Sequence, residues 1–317
     1  MKSLFLSSLL ALGLLAVPAQ AAEYPAKPIT LMTAFNAGGG SDVSHRLLEK
    51  FAKGVFDQPI VVTYKAGAGG EIGWTWLVGA KADGYTIGGV DLPHIVLQPM
   101  LRPEGQPGYK TEQLSPLCGL VYDADVVMVP EDGPYKTCKA LIEYAKANPG
   151  KVKVATVGKL TGDHLFLMQI EKLTGAKFTQ VPYSGSGKAI PALLSGEVDA
   201  YFGSGSSFLR MEKTRGLAIG SKERYELCPD VPTFIEQGYA IESGKYRGLA
   251  TPQNIPAEAR QYLETKFAEL CANPEYQKAV KSSGLMPQFQ TGKAFGEIIR
   301  TEGEQAKKIL EAYGLLK

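Results

Sequence analysis

The chain has 317 residues, room for two domains of ordinary size, and its 34 Lys plus Arg against 32 Asp plus Glu leave a net charge of only +2. Scattered basic residues at that balance give no electrostatic case for nucleic acid or an anionic membrane surface. Four cysteines, Cys118, Cys138, Cys228 and Cys271, have no C-x-x-C spacing, which argues against zinc or thioredoxin chemistry and leaves structural disulfides and buried free thiols as open alternatives.

In chain order, Lys2 precedes the apolar run Leu4 to Val17, and Ala19-Gln20-Ala21 has the small-x-small form of a secretory cleavage site. Residues 1–21 are expected to be a leader, with the mature chain starting at Ala22 in the periplasm of a bacterium. No later segment has the roughly 18 uninterrupted apolar residues of a membrane span. A strand is predicted over Ile29 to Phe35, then a helix over Val43 to Phe56, a strand over Ile60 to Tyr64, a helix over Ile72 to Ala80 and a strand over Tyr85 to Val90. Leu117 to Pro130, with a strand over Val126 to Val129, is long enough to cross between two lobes, and Tyr246 to Pro252 can return the chain. Between them alternate a helix (Lys139 to Ala147), a strand (Val152 to Val157), a helix (His164 to Leu173), a strand (Phe178 to Val181), a helix (Ala189 to Leu194) and strands over Ala200 to Phe202 and Leu217 to Ile219. Helices over Ala257 to Cys271, Tyr276 to Ser282 and Ala294 to Tyr313 finish the chain. The alternation is that of an α/β protein. Residues 22–119 plus 248–317 are expected to form one lobe and 120–247 the other, with the ligand in the cleft.

Four loops follow strands and open helices. Phe35-Asn36-Ala37-Gly38-Gly39-Gly40-Ser41-Asp42 joins a strand to a helix with Ser41 as the expected N-cap, so its backbone N–H groups suit an anion. It lacks Gly-Lys-Ser/Thr and the G-x-G-x-x-G spacing, so a carboxylate fits better than a nucleotide. Lys65 to Gly73, containing Ala68, Gly69 and Gly70, is a second such loop. Thr156 to His164, with Thr161, Gly162 and His164, and Val181 to Gly187, with Pro182, Tyr183 and Gly185, are the pair expected in the second lobe. Each residue also has a duller reading. Asp42 favours a capping role, His164 can cap its own backbone, Tyr183 can simply wall the cleft, and Asp91 and His94 sit where surface turn residues are the default. Across Phe35 to Asp42, Gly67 to Gly73, Gly158 to His164 and Pro182 to Gly187 stand one lysine, Lys159, no arginine and three acids, Asp42, Glu71 and Asp163. That count favours a mono- or dicarboxylate over a tricarboxylate, with Asp163 or Asp91 accepting from a hydroxyl or amine.

Together, Tyr24-Pro25, Lys27-Pro28-Ile29, Ala37-Gly38-Gly39-Gly40-Ser41-Asp42, Gly67-Ala68-Gly69-Gly70, Asp83-Gly84-Tyr85-Thr86, Val181-Pro182-Tyr183-Ser184-Gly185, Gly196-Glu197-Val198-Asp199 and Pro229-Asp230-Val231-Pro232-Thr233 resemble the Bug, or TctC-like, family over essentially the whole mature chain. The resemblance implies a two-lobed, hinge-closing periplasmic receptor, acting as a monomer, that delivers a small organic carboxylate to the membrane permease subunits of a tripartite tricarboxylate transporter. It also implies that the carboxylate is held by loops corresponding to Phe35 through Asp42, Ala68 through Gly70, Thr161 through His164 and Tyr183 through Gly185. Departures from the family pattern are Leu160 for a glycine, Asp163 for a small residue, Tyr246-Arg247 where tryptophan is common, and a shortened Gly203 to Arg215. No catalytic residue, metal or cofactor is expected. An exported enzyme finds no G-x-S-x-G or H-E-x-x-H and only His45, His94 and His164 for acid–base work. A sensor domain for a membrane kinase remains the alternative use of such a fold.

Overall fold

The computed structural model describes residues 23–102, 108–159 and 161–316. The first half opens with β1 (Ile29–Thr33), α1 (Gly40–Ala52), β2 (Ile60–Tyr64), α2 (Glu71–Val78), β3 (Thr86–Asp91) and α3 (His94–Leu101). Next, β4 (Leu114–Pro130) runs for 17 residues and passes into the second half. There follow α4 (Cys138–Ala147), β5 (Lys153–Val157), α5 (Gly162–Thr174), β6 (Thr179–Tyr183), α6 (Ser186–Leu194), β7 (Ala200–Ser204), the short α7 (Gly205–Phe208) and β8 (Thr214–Ile219). The chain returns along β9 (Gly244–Pro252) and closes with α8 (Ala257–Ala272), α9 (Pro274–Ser282), β10 (Met286–Thr291) and α10 (Gly292–Ala312).

Strand order along the sheet is β2-β1-β3-β9-β4-β7-β5-β6, with β8 and β10 also pairing β4. β1 lies parallel to β2 and β3, and β5 parallel to β6 and β7, with a helix between each strand and the next in sequence, as a parallel ladder requires. β1, with helices over it, buries nearly every side chain and so reads as continuously apolar rather than alternating. β4 and β9 instead run antiparallel to one another from Leu114↔Pro252 to Ala124↔Gly244 and are the strands common to both halves. One core, around Ile29, Leu31, Leu48, Phe267 and Leu270, lies on the first side; another, around Val154, Phe166, Phe202 and Phe234, lies on the second. The result is the two-lobed α/β architecture expected.

Several elements extend past the predicted bounds. α1 starts at Gly40 with Gly39 as its cap, so Ser41 is inside the first turn and not the N-cap. The segment after β3 is helical, α3, and buries both Asp91 and His94, each 2% exposed, where a surface turn was expected. β3 is an inner strand, covered by β9, which removes its end from solvent. All four cysteines are buried and free, which settles the open alternatives in favour of thiols. Leu160 lies outside the described residues, as does the expected leader, residues 1–21. Among the described residues no helix is long and apolar enough to cross a membrane.

Candidate functional site

The loops after β1 and β6 meet. Asn36 Nδ2 donates to Ser184 Oγ at 2.8 Å, and a Cβ added to Gly39 would stand 3.1 Å from Ser186 Oγ. Below them the loops before α2 and α5 also touch, since a Cβ on Gly69 would lie 3.2 Å from Thr161 Cγ2. The halves are therefore closed on one another. Closure brings the N-termini of α1 and α6 to the same place, two sets of unpaired N–H groups with the positive ends of two helix dipoles. The α2 loop needs its glycines: Gly67, Gly69 and Gly70 have φ of 135°, 67° and 102°, the left-handed region that costs side chains most.

Between these loops is a small inner chamber of about 30 Å³. Its walls are Phe35, Asn36, Gly39, Gly40 and Ser41, then Asp91, His94, Val157 and Asp163, and finally Gly185, Ser186, Ser204, Lys245 and Arg247. Phe35 is fixed by edge contacts with the rings of Trp74 and His94, at 6.0 and 5.6 Å between centroids. Outward, past Phe35 and Val157, lies a wider cavity of about 450 Å³ walled by Gly67 to Gly70, Arg102, Gly158, Lys159 and Pro182 to Ser184.

The chamber floor is ionic. Arg247 on β9 places Nη1 2.6 Å from Asp123 Oδ2 and Nε 3.0 Å from Asp91 Oδ1. Lys245, two residues earlier on the same face, pairs with Asp125 and, at 2.8 Å, with Asp163 Oδ1. Hydroxyls and amides complete the network. Ser41 donates to Asp91 at 2.7 Å, the Ser206 N–H to Asp123 at 2.9 Å, Ser243 to Asp125 at 2.6 Å, and the Val157 N–H to Asp163 at 2.8 Å. Burial pushes the carboxyls of Asp91 and Asp163 above the usual carboxylate range, against the pull of Arg247 on one and Lys245 on the other. Burial works against the charge on Lys245 too, but Asp125 and Asp163 outweigh it and hold the ammonium protonated. His94 is pushed well below its ordinary value by burial and by Lys245 and Arg247, so it is neutral, and its Nδ1 has no hydrogen-bond partner among the described residues.

Of the residues singled out in sequence, Phe35, Asn36, Gly39, Gly40, Asp91 and Gly185 line the inner chamber, and Ala68, Gly69, Gly70, Pro182 and Tyr183 line the outer cavity together with Phe35. Ala37, Gly38, Asp42, Thr161, Gly162 and His164 line neither. Asp42 accepts from the Gly38 N–H at 2.8 Å and from Tyr64 at 2.6 Å, so it folds the loop. The Tyr183 hydroxyl donates to Glu197 at 2.7 Å. Arg247, Lys245, Asp123 and Asp125 were absent from the sequence-based site, which considered only the loops. Their signal was Asp123-Ala124-Asp125 and Lys245-Tyr246-Arg247, charges at period two inside otherwise apolar strands.

Closed α/β halves with a polar chamber between opposed helix N-termini define a binding receptor. A family model described as Tripartite tricarboxylate transporter family receptor matches residues 45–315, and the chain belongs to this family of periplasmic solute-binding proteins. Among its relatives is BugT of Bordetella pertussis, 35% identical over 287 residues, which span 87% of this chain and 86% of that protein. The solved structure of the periplasmic binding protein BugD superposes with a TM-score of 0.85 at 26% identity, covering 93% of this chain and all of that one. MatC from Rhodopseudomonas palustris, solved with bound malate, shares the fold at a TM-score of 0.84 and 22% identity, over 90% of this chain and all of that one.

Proposed function

We propose that this receptor captures a small mono- or dicarboxylate in the cleft and delivers it to two membrane permease subunits, acting as an exported monomer cleaved before Ala22. The observation that carries the ligand class is the meeting of the α1 and α6 N-termini across the chamber, where N–H groups of Gly39 to Ser41 and Gly185 to Gly187 can receive one carboxylate without a dedicated basic side chain. Phe35, Asn36, Gly39, Gly40 and Gly185 form the inner contacts in this reading, and Ala68 to Gly70, Pro182 and Tyr183 hold the body of the ligand. The lobes divide at 119/120 and 247/248, so that β4 and β9 carry the hinge. The malate bound to MatC is in keeping with this class of ligand. The receptor carries out no chemistry on its ligand.

A thermal-shift screen of small carboxylates tests the class directly. At least one mono- or dicarboxylate should raise the melting temperature, and citrate should bind more weakly than the best of them. Gly39→Val should weaken binding at least tenfold with the fold intact, since its branches would crowd Ser186 Oγ and the approach of a ligand to the backbone. Citrate tighter than every smaller acid would refute the charge argument.

A further inference from the structure

Charge in the inner chamber does not balance. Lys245 and Arg247 each stand between two carboxylates, so two fixed cations face four aspartates, Asp91, Asp123, Asp125 and Asp163. None of the six is more than 4% exposed, so water does little to screen the excess. Each triad holds one carboxylate more than its cation neutralises. In both, the carboxylate with the raised affinity for a proton, Asp91 or Asp163, is one that lines the chamber, while Asp123 and Asp125 lie behind on β4. A second, independent feature points the same way. His94, 2% exposed and lining the chamber, leaves Nδ1 without a hydrogen-bond partner among the described residues, and in the tautomer that carries the proton on Nε2 this nitrogen accepts a hydrogen bond.

The same chamber thus combines two helix N-termini that favour an anion with an acidic floor that favours a cation. A plain dicarboxylate satisfies the first and aggravates the second. Resting on the carboxylate-receptor reading, we propose that the ligand is an amino-carboxylate: its carboxylate meets the N-termini of α1 and α6, and its ammonium group is received by Asp91, Asp163 and Nδ1 of His94. The ammonium supplies the charge the cluster lacks and donates up to three hydrogen bonds. Lys245 and Arg247 then act as positioning residues, holding the acceptor carboxylates in place, and do not bind the ligand's acid group. The remainder of the ligand extends past Phe35 and Val157, which wall both the chamber and the outer cavity.

Titration calorimetry on the mature receptor with matched pairs tests this: L-glutamate against glutarate, 4-aminobutanoate against butanoate, and the common L-amino acids against their des-amino acids. The tightest ligand should carry the ammonium and bind at least tenfold better than its des-amino partner. Asp91→Asn and Asp163→Asn, confirmed folded by denaturation, should bring that ratio toward one. Des-amino acids binding as tightly as their partners would overturn the ammonium assignment and leave the carboxylate reading standing. A preference that survives unchanged in both variants would overturn the residue assignment. Butylamine binding as tightly as 4-aminobutanoate, or no binding of any member of either series, would overturn the carboxylate reading itself.

Discussion

His45 and His94 are both buried within reach of the Arg247 charge, and among the described residues Nδ1 of His45 has a hydrogen-bond partner while Nδ1 of His94 has none. His45 Nδ1 is 2.7 Å from Thr33 Oγ1, and burial, reinforced by Arg247 and opposed by Asp42, lowers its pKa to about 4. The native state therefore favours the neutral ring. The stability this provides is present above the ordinary value near 6.5 and is lost as pH falls from there toward 4, on the order of 3 kcal/mol in all. Asp91 and Asp163 act in the opposite direction, since their raised carboxyls favour the native state in acid and cease to do so as pH rises through their native values. Urea denaturation at pH 7 and pH 4.5 separates the two: His45→Gln should remove most of the acid-side loss seen in the parent, and an unchanged pH slope would contradict the assignment. At this scale the loop residues were legible in the sequence because glycine between a strand and a helix announces close backbone approach. Asp91 and His94 were not, because nothing local to them signals that β9, more than 150 residues away, will cover the strand that carries them.

Two antiparallel strands supply all the charge that the loops lack. Along β4 and β9 the register sets Asp123 opposite Lys245 and Val121 opposite Arg247, so the acids of one strand and the bases of the other share a face. The sequence gives each strand's length and apolar character, but not its register, and only the register turns four scattered charges into a cluster. Removing one cation from such a cluster strands two buried carboxylates. Lys245→Met should therefore cost about 3–5 kcal/mol in chemical denaturation, because the penalty is that of the unpaired partners rather than of a lost surface pair. Adding Asp125→Asn and Asp163→Asn to it should recover a large part of that loss, since the charges left without a partner are then gone. A Lys245→Met protein as stable as the parent would mean that water reaches the floor. The helices were legible at better resolution: α4, α8 and α10 fall within a few residues of their predicted bounds, with Thr137 and Thr291 capping α4 and α10 by accepting from Ala140 and Ala294 N–H groups.

At the scale of the whole molecule, contacts outside the chamber also join the halves, among them Gln98 Nε2 donating to the Lys159 carbonyl oxygen at 3.4 Å, Lys172 Nζ donating to the Ala312 carbonyl oxygen at 3.0 Å, and Leu165 packed in one apolar cluster with Leu92 and Ile95. The exposed hydrogen bond from Asn36 to Ser184 joins the loop after β1 to the loop after β6, and Arg210 reaches only to 3.5 Å from the Gly38 carbonyl oxygen. A receptor that must both capture and release gains from polar contacts that are individually weak, because a ligand can shift the open–closed balance only by its differential affinity for the two forms. Ligand at ~100 times its dissociation constant should then stabilise the protein by roughly 2.7 kcal/mol, a rise of several degrees in melting temperature, with compaction visible in small-angle scattering. Ser184→Ala removes the acceptor of the Asn36 hydrogen bond without touching the ionic floor. A neutral hydrogen bond of this kind contributes about 1 kcal/mol, so the closed population, and with it the apparent affinity, should fall roughly fivefold. Because the bond exists only when the halves meet, the loss should appear mainly as faster ligand release. Stopped-flow dissociation rates decide the matter: a variant that releases its ligand no faster than the parent would place the energy of closure elsewhere, in the ligand's own contacts with α1 and α6.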